Sequence, residues 1–179
     1  PPPPPPPPPF FPDTATPEIY TQVNSSAASD VYKRQSLEAS LSTLPIGKGE
    51  VLKKGDDLLI LAVGSGVSES LSAHKQLKAE GLNATVVNCR FIKPLDKELI
   101  GELAGRIKKV ITVEENVLHG GFGSAVLECL NNQDIVDVHV KRIGIADCFV
   151  EHGPQKILRS VYGVDATAIV KAAKELLKL

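Results

Sequence analysis

From Leu44 onward, short apolar runs alternate with stretches whose apolar residues recur every three to four positions. The clearest run is Leu58 to Val63, six apolar residues stopped by Gly64-Ser65-Gly66. A continuous run of that length, bounded by glycine, predicts a strand buried on both faces. A shorter strand precedes it at about Gly49 to Lys53, with a turn at Gly55-Asp56. Val67, Leu71, His74 and Leu77 then fall at helical spacing, and Gly81 supplies a stop. Further strands are expected in NATVVNCRFI (Asn83 to Ile92), KKVITVEEN (Lys108 to Asn116) and IVDVHVKRIGI (Ile135 to Ile145). In the last, Val136, Val138, Val140 and Ile143 count among the apolar positions. Helices are expected in KPLDKELIGELAGRI, through Leu95, Leu99, Ile100 and Leu103, and in GGFGSAVLECLNN, through Phe122, Val126, Cys129 and Leu130. Two more close the chain: GPQKILRSVYG, with Ile157, Leu158 and Val161, and DATAIVKAAKELLKL, with Asp165 as N-cap and Ile169, Val170, Ala173, Leu176 and Leu177 as the stripe.

Five strands alternating with helices predict an α/β domain: a three-layer α/β/α arrangement around a mostly parallel five-stranded sheet. Ligands approach such sheets at the carboxyl ends of the strands. Attention therefore falls on Gly64 to Gly66, Cys89 to Pro94, Glu114 to Gly123 and Ile145 to Pro154.

Composition narrows the classes. A net charge of -1 gives no field for nucleic acid, and no apolar run approaches the ~20 residues that span a bilayer. The start of the chain lacks a charged-then-apolar leader, so a cytoplasmic protein is expected, or a plastid one from a plant-type source. Cys89, Cys129 and Cys148 are widely spaced and odd in number, which favours reduced, mostly buried thiols over disulfides or zinc. The chain contains no Met and begins with proline, so it is expected to be a piece of something longer. Residues 1–35 are read as a disordered, non-native segment. Pro1 to Pro9 form a homopolymer, and DVYKRQ (Asp30 to Gln35) is the translation of a transposon end used in sequencing libraries. Residues 36–44 then serve as a linker and 45–179 as the domain.

Several motifs compete for a function. GSGVSE (Gly64 to Glu69) carries two glycines of a dinucleotide fingerprint, but Glu69 stands where the third belongs. No acidic residue closes the second strand either, so a free strand-to-helix turn capped by Ser65 or Ser68 is favoured. HGGFGS (His119 to Ser124) is no P-loop, since no Gly-Lys-Ser/Thr follows. The helix N-terminus after it would attract an anion, yet Glu114 and Glu115 oppose a phosphate. They would suit an acid/base pair, but no nucleophile accompanies them; a turn at a packing interface ranks first. His74, His119, His139 and His152 lack metal-ligand spacing. His74 and His139 read as structural, while His119 and His152 lie in glycine-bearing loops where a titrating group would be useful.

Taken in order, LPIGKGEVLKKGDDLLILAVGS, RFIKPLD, VITVEENVLHGGFGSAVLECL, IGIADCFVEHG and YGVDATAIV resemble one family. It is the C-terminal domain of the 1-deoxy-D-xylulose-5-phosphate synthases, thiamine-diphosphate enzymes of the transketolase class. KPLD and the VEEN…GG.GS pattern are shared with transketolases and with the beta subunit of the first component of 2-oxoacid dehydrogenases. IADCFVEHG with YGVDA tips the resemblance toward the synthases. It implies a parent transferase in which two preceding domains, absent here, bind thiamine diphosphate and magnesium and carry the catalytic glutamate. No catalytic, cofactor-binding or metal residue is then expected in this chain, and the piece alone is expected to be inactive. The third domain chiefly supports homodimer packing. Glu114, Glu115, His119, Gly120, Gly121, Gly123, Asp147 and His152 become candidates for an interface or the edge of an active site. Loss of the neighbouring domains also predicts an exposed apolar face.

Overall fold

The computed structural model describes residues 43–178; the polyproline and DVYKRQ reading lies outside them. The compact unit begins at Leu44. Its elements are β1 (Glu50–Lys53), β2 (Leu58–Ala62), α1 (Gly66–Ala79), β3 (Ala84–Asn88), α2 (Lys97–Ile107), β4 (Lys109–Val117), α3 (Phe122–Asn131), β5 (His139–Ile145), α4 (Gln155–Val161) and α5 (Ala166–Leu177). The sheet runs β1-β3-β2-β4-β5; β2 is parallel to β3 and β4, β4 is parallel to β5, and only β1 is antiparallel to its neighbour. The three-layer α/β/α expectation, with a mostly parallel five-stranded sheet, holds.

The continuous apolar run becomes the central strand because both of its faces are covered. Leu58, Ile60 and Ala62 pack with Ala73 and Leu77 of α1 and Ile169, Val170 and Ala173 of α5. Leu59 and Leu61 face the other way, onto Ile100, Leu103 and Ile107 of α2 and Phe122 and Val126 of α3. Every side chain of β2 is buried. Burial of this kind contributes about 1.5–3 kcal/mol per large apolar side chain, so the middle of the sheet dominates the stability.

Three helix starts follow the sequence closely. Asp96 caps α2 through Leu99 N–H at 3.3 Å and also accepts Gly49 N–H at 2.9 Å, tying β1 to the helix. Burial alone would push the Asp96 carboxyl up, but the amides of Gly49 and Leu99 and the Lys48 ammonium outweigh it and hold it low. Asp165 caps α5 through Ala168 N–H at 2.9 Å. Gly121 opens α3 in extended backbone.

Elsewhere the structure departs from the periodic reading. The third strand ends at Asn88, because Arg90 turns into the left-handed region and Cys89 to Ile92 leave the sheet. The fifth begins only at His139, since a turn with Asp134 at positive φ puts Val136 out in solvent, 83% exposed. In α4 the apolar pair Ile157 and Val161 points outward, and no residue of that helix is fully buried. Its inward positions are Leu158, Arg159 and Tyr162, with exposed Gln155 at the mouth of the cleft beneath, a mixed set that hydrophobic periodicity does not register.

Candidate functional site

Two glutamates in succession organise the carboxyl end of the sheet. Side chains alternate across a strand, so Glu114 and Glu115 of β4 must leave on opposite faces. Glu114 follows Val110 and Thr112 toward α3, while Glu115 follows Ile111 and Val113 toward α1 and α5.

Glu114 is buried, 1% exposed. Its two carboxylate oxygens accept the N–H groups of Phe122 (2.7 Å) and Gly123 (2.8 Å) at the first turn of α3. Those amides are orphans of the helix start and carry its positive partial charge. The carboxylate is therefore the anion of this helix, and the anion site is filled from within. Glycine is required around it. A Cβ on Gly121 would overlap a Glu114 oxygen and the Val117 carbonyl, and one on Gly123 would meet the Thr112 hydroxyl at 2.7 Å and Arg142 at 2.9 Å. Gly120 turns the chain at φ +69° just before. Arg142 of β5 secures the same turn, donating to the Leu118 carbonyl (3.0 Å) and the Ser124 hydroxyl (3.0 Å), while Ser124 donates to Leu118 as well. Arg142 went unmarked in the sequence, where it reads as one more polar position in a strand.

Glu115 faces a different set. Arg159 of α4 donates to it through Nε (2.6 Å) and Nη2 (3.4 Å), and the Ser65 hydroxyl donates to it too. The Arg159 hydrogen bonds hold the Glu115 carboxyl below the usual range against the opposing effect of burial, with Ser65 adding to the pull. Arg159 Nη1 also reaches Glu69 of α1 at 3.3 Å, and Glu69 in turn accepts Ala166 N–H at the start of α5 (3.1 Å). Glu69, in the place of the third fingerprint glycine, is thus the residue that links three helices. Ser65 stands at the N-cap of α1 but makes no side-chain capping bond; its hydroxyl serves Glu115 instead. Ser68 bonds the Ser65 carbonyl rather than a helix amide. Gly66 lets the turn approach β4, where a Cβ would lie 3.0 Å from Val113.

This cluster sits at the topological switch point. The chain passes from β2 to β3 on one side and returns to β4 on the other, which leaves the crevice between β2 and β4 where doubly wound sheets take ligands. Here Ser65, Glu69, Glu115 and Arg159 line it. Beside it, under α4, lies an apolar cleft of about 220 Å³ walled by Ile145, Val150, Leu158, Tyr162 and Val164.

The remaining candidates do not converge. His119, Asp147 and His152 are exposed, and none forms a hydrogen bond or ion pair with Glu114 or Glu115. His74 is buried, with Nδ1 3.0 Å from the Ala84 carbonyl, and burial lowers its pKa: a structural imidazole. Burial pushes the Cys89 thiol up to about 12 and raises Cys129 as well, whereas Cys148 is exposed. Among the described residues no group of three His, Cys, Asp or Glu side chains is placed to hold a metal, and no helix is long and apolar enough to cross a membrane.

Comparison with known proteins agrees with this architecture. The family model described as the transketolase C-terminal domain matches residues 47–169. A 1-deoxy-D-xylulose-5-phosphate synthase of Halothermothrix orenii is 46% identical over 88% of this chain and 26% of its own length. One from Geobacter sulfurreducens is 50% identical over 79% of this chain and 22% of its own. The chain thus spans about a quarter of the length of these relatives. Among solved structures, a split-gene transketolase described as an inactive beta4 tetramer superposes with a TM-score of 0.70 at 38% identity, covering 76% of this chain and 44% of that one. The transketolase of Leishmania mexicana shares the fold at a TM-score of 0.55 and 21% identity, over 74% of this chain and 18% of that one. With the sheet order, the glycine-packed turn and the family match in agreement, the chain belongs to the transketolase C-terminal domain family.

Proposed function

We propose that this chain is the C-terminal domain of a cytoplasmic 1-deoxy-D-xylulose-5-phosphate synthase. The parent condenses pyruvate with glyceraldehyde 3-phosphate, releases carbon dioxide, and supplies isoprenoid and thiamine synthesis. The observation that carries the reading is 46–50% identity to synthases across most of the chain. Thiamine diphosphate and magnesium belong to the preceding domains. What supports placing them there is the chemistry at the helix starts: Asp96 on α2, Glu114 on α3, and Asp165 with Glu69 on α5 meet amides that a diphosphate would need, and the uncapped start of α1 has the carboxylates of Glu69 and Glu115 beside it. Those residues do not fit the cofactor.

The domain's own task is assembly of a homodimer and support of its neighbours. Phe149, Ile157 and Val161 stand in solvent, as expected of a surface that neighbouring protein covers. Exposed His119, Gly120, Asp147 and His152 lie in loops at the rim of that assembly rather than in a catalytic centre. The test is a chimera in which residues 44–179 replace the corresponding domain of the Geobacter sulfurreducens synthase. Product from both substrates, with thiamine diphosphate and magnesium, is expected of the chimera and not of this chain alone. Turnover by the chain alone would refute the assembly role, and a dimeric, cofactor-loaded chimera without turnover would refute the kinship in function.

A second reading draws on the split-gene relative, whose matched chain is a separate component. On that reading this chain is an independently encoded module that self-associates. Light scattering tests the second: a strict monomer at high concentration removes it, while a dimer fits both readings and leaves the chimera to decide.

A further inference from the structure

We infer that α4 is a strap latched over the switch-point crevice by Arg159, able to leave and reseat as a unit while the sheet and the other helices stay folded. The inference concerns this chain on its own, with Ile157 and Val161 uncovered. Three observations carry it.

First, α4 has no apolar anchor of its own. None of its residues is fully buried, Ile157 and Val161 face solvent at 59% and 70% exposure, and the cleft beneath it is left unfilled. Hydrophobic burial, which holds every other helix to the sheet, is nearly missing here. Leu158 and Tyr162 supply only partial contact. Local opening free energies are lowest where apolar contact is sparse.

Second, the polar attachment is led by one side chain, with Gln155 adding a lesser bond to Glu115. Arg159, 17% exposed, bonds Glu115 on β4 and Glu69 on α1, and these two carboxylates are themselves tied to Ser65 and to the α5 amide of Ala166. A planar guanidinium with a nearly fixed fork suits such a bridge between two acids; a lysine would not reproduce it. When Arg159 leaves, both acids remain solvated at the rim and Glu69 keeps its hold on α5, so the cost stays local.

Third, the ends of the strap allow the movement. Residues 146–152 before it are exposed, and Gly163 follows at φ +67°. Withdrawal of Arg159 would open the crevice between Ser65, Glu69 and Glu115 to solvent.

The test is hydrogen exchange on the full 179-residue chain. A seven-residue helix off the sheet does not hold its turns, so the reporters are the amides of Leu158, Tyr162 and Val164, which bond the carbonyls of Pro154, Leu158 and Arg159. In Arg159→Gln these are expected to exchange about fivefold faster, and the amides of β2 and β4 by no more than that factor. Glu115→Gln should give the same local pattern to a smaller degree, because Arg159 keeps Glu69 at 3.3 Å, and the double variant should be no faster than Arg159→Gln alone. Unchanged exchange would overturn the inference by showing that Leu158 and Tyr162 hold the strap. Acceleration of the β2 and β4 amides beyond that of the α4 amides would overturn it by making Arg159 a support of the whole fold, and additive effects in the double variant would overturn the single latch.

Discussion

Glu114 and Glu115 are adjacent, chemically identical and set on one strand, yet they fasten two regions in opposite ways. On one face, the α3 turn closes around a buried carboxylate that meets two helix amides, with glycines pressed against it. On the other, α4 lies on a partly exposed ion cluster with almost no apolar burial. The difference teaches that the strength of a carboxylate contact depends on what surrounds it. Buried and fully hydrogen-bonded, it is part of the core and costly to disturb. At the rim, the same group gives orientation with little stability.

The sharpest way to break the comparison is Gly121→Ala. The new Cβ would occupy the space of a Glu114 oxygen and the Val117 carbonyl, so a loss above about 3 kcal/mol is expected. Urea denaturation measures it; a loss under ~1 kcal/mol would mean the turn yields freely. Glu114→Gln comes next. One amide of the α3 start loses its acceptor in a buried place, at a cost of about 1–3 kcal/mol to the whole domain. The matching change on the other face, Arg159→Gln, should move the global midpoint by less than ~1 kcal/mol. Equal losses for the two variants would erase the distinction.

The smallest expected effect is one of pH. Arg159 holds the Glu115 carboxyl below its unfolded value, so its contribution is fully present above the ordinary glutamate range near ~4.3. It is lost as pH falls through the lowered folded value, where protonation leaves Arg159 facing Glu69 alone. Tyr162 lies against the same cleft, so near-ultraviolet dichroism between pH 6 and 3 should report loosening of α4 at the acid end. Loosening as pH rises from 5 to 8 would contradict the assignment.

Much of this architecture was legible beforehand. The both-face-buried run at Leu58–Ala62, the caps Asp96 and Asp165 and the stop at Gly81 rest on local rules: strand periodicity, side-chain capping, and glycine at positive φ. The glycines of the Glu114 turn were expected at an interface or an active-site edge; within the domain Gly121 and Gly123 are packed against Glu114, Thr112 and Arg142. What hydrophobic periodicity misread was the last third of the chain. Val136 looked like a strand residue, and Ile157 with Val161 looked like an inward stripe, because the pattern counts apolar residues and not what they meet. The true inner face of α4 is led by Arg159, whose partners lie 44 and 90 residues away.

The sequence by itself determined the order of elements, the identity of the central strand and the tight turn before α3, since each depends on residues within a few positions of one another. Only the tertiary structure decided that one glutamate enters the core while its neighbour holds a helix at the rim. Alternation along β4 sends the two side chains to opposite faces, but their fates depend on what each face receives. The amides of α3 arrive on one side, and on the other arrives an arginine delivered from far along the chain.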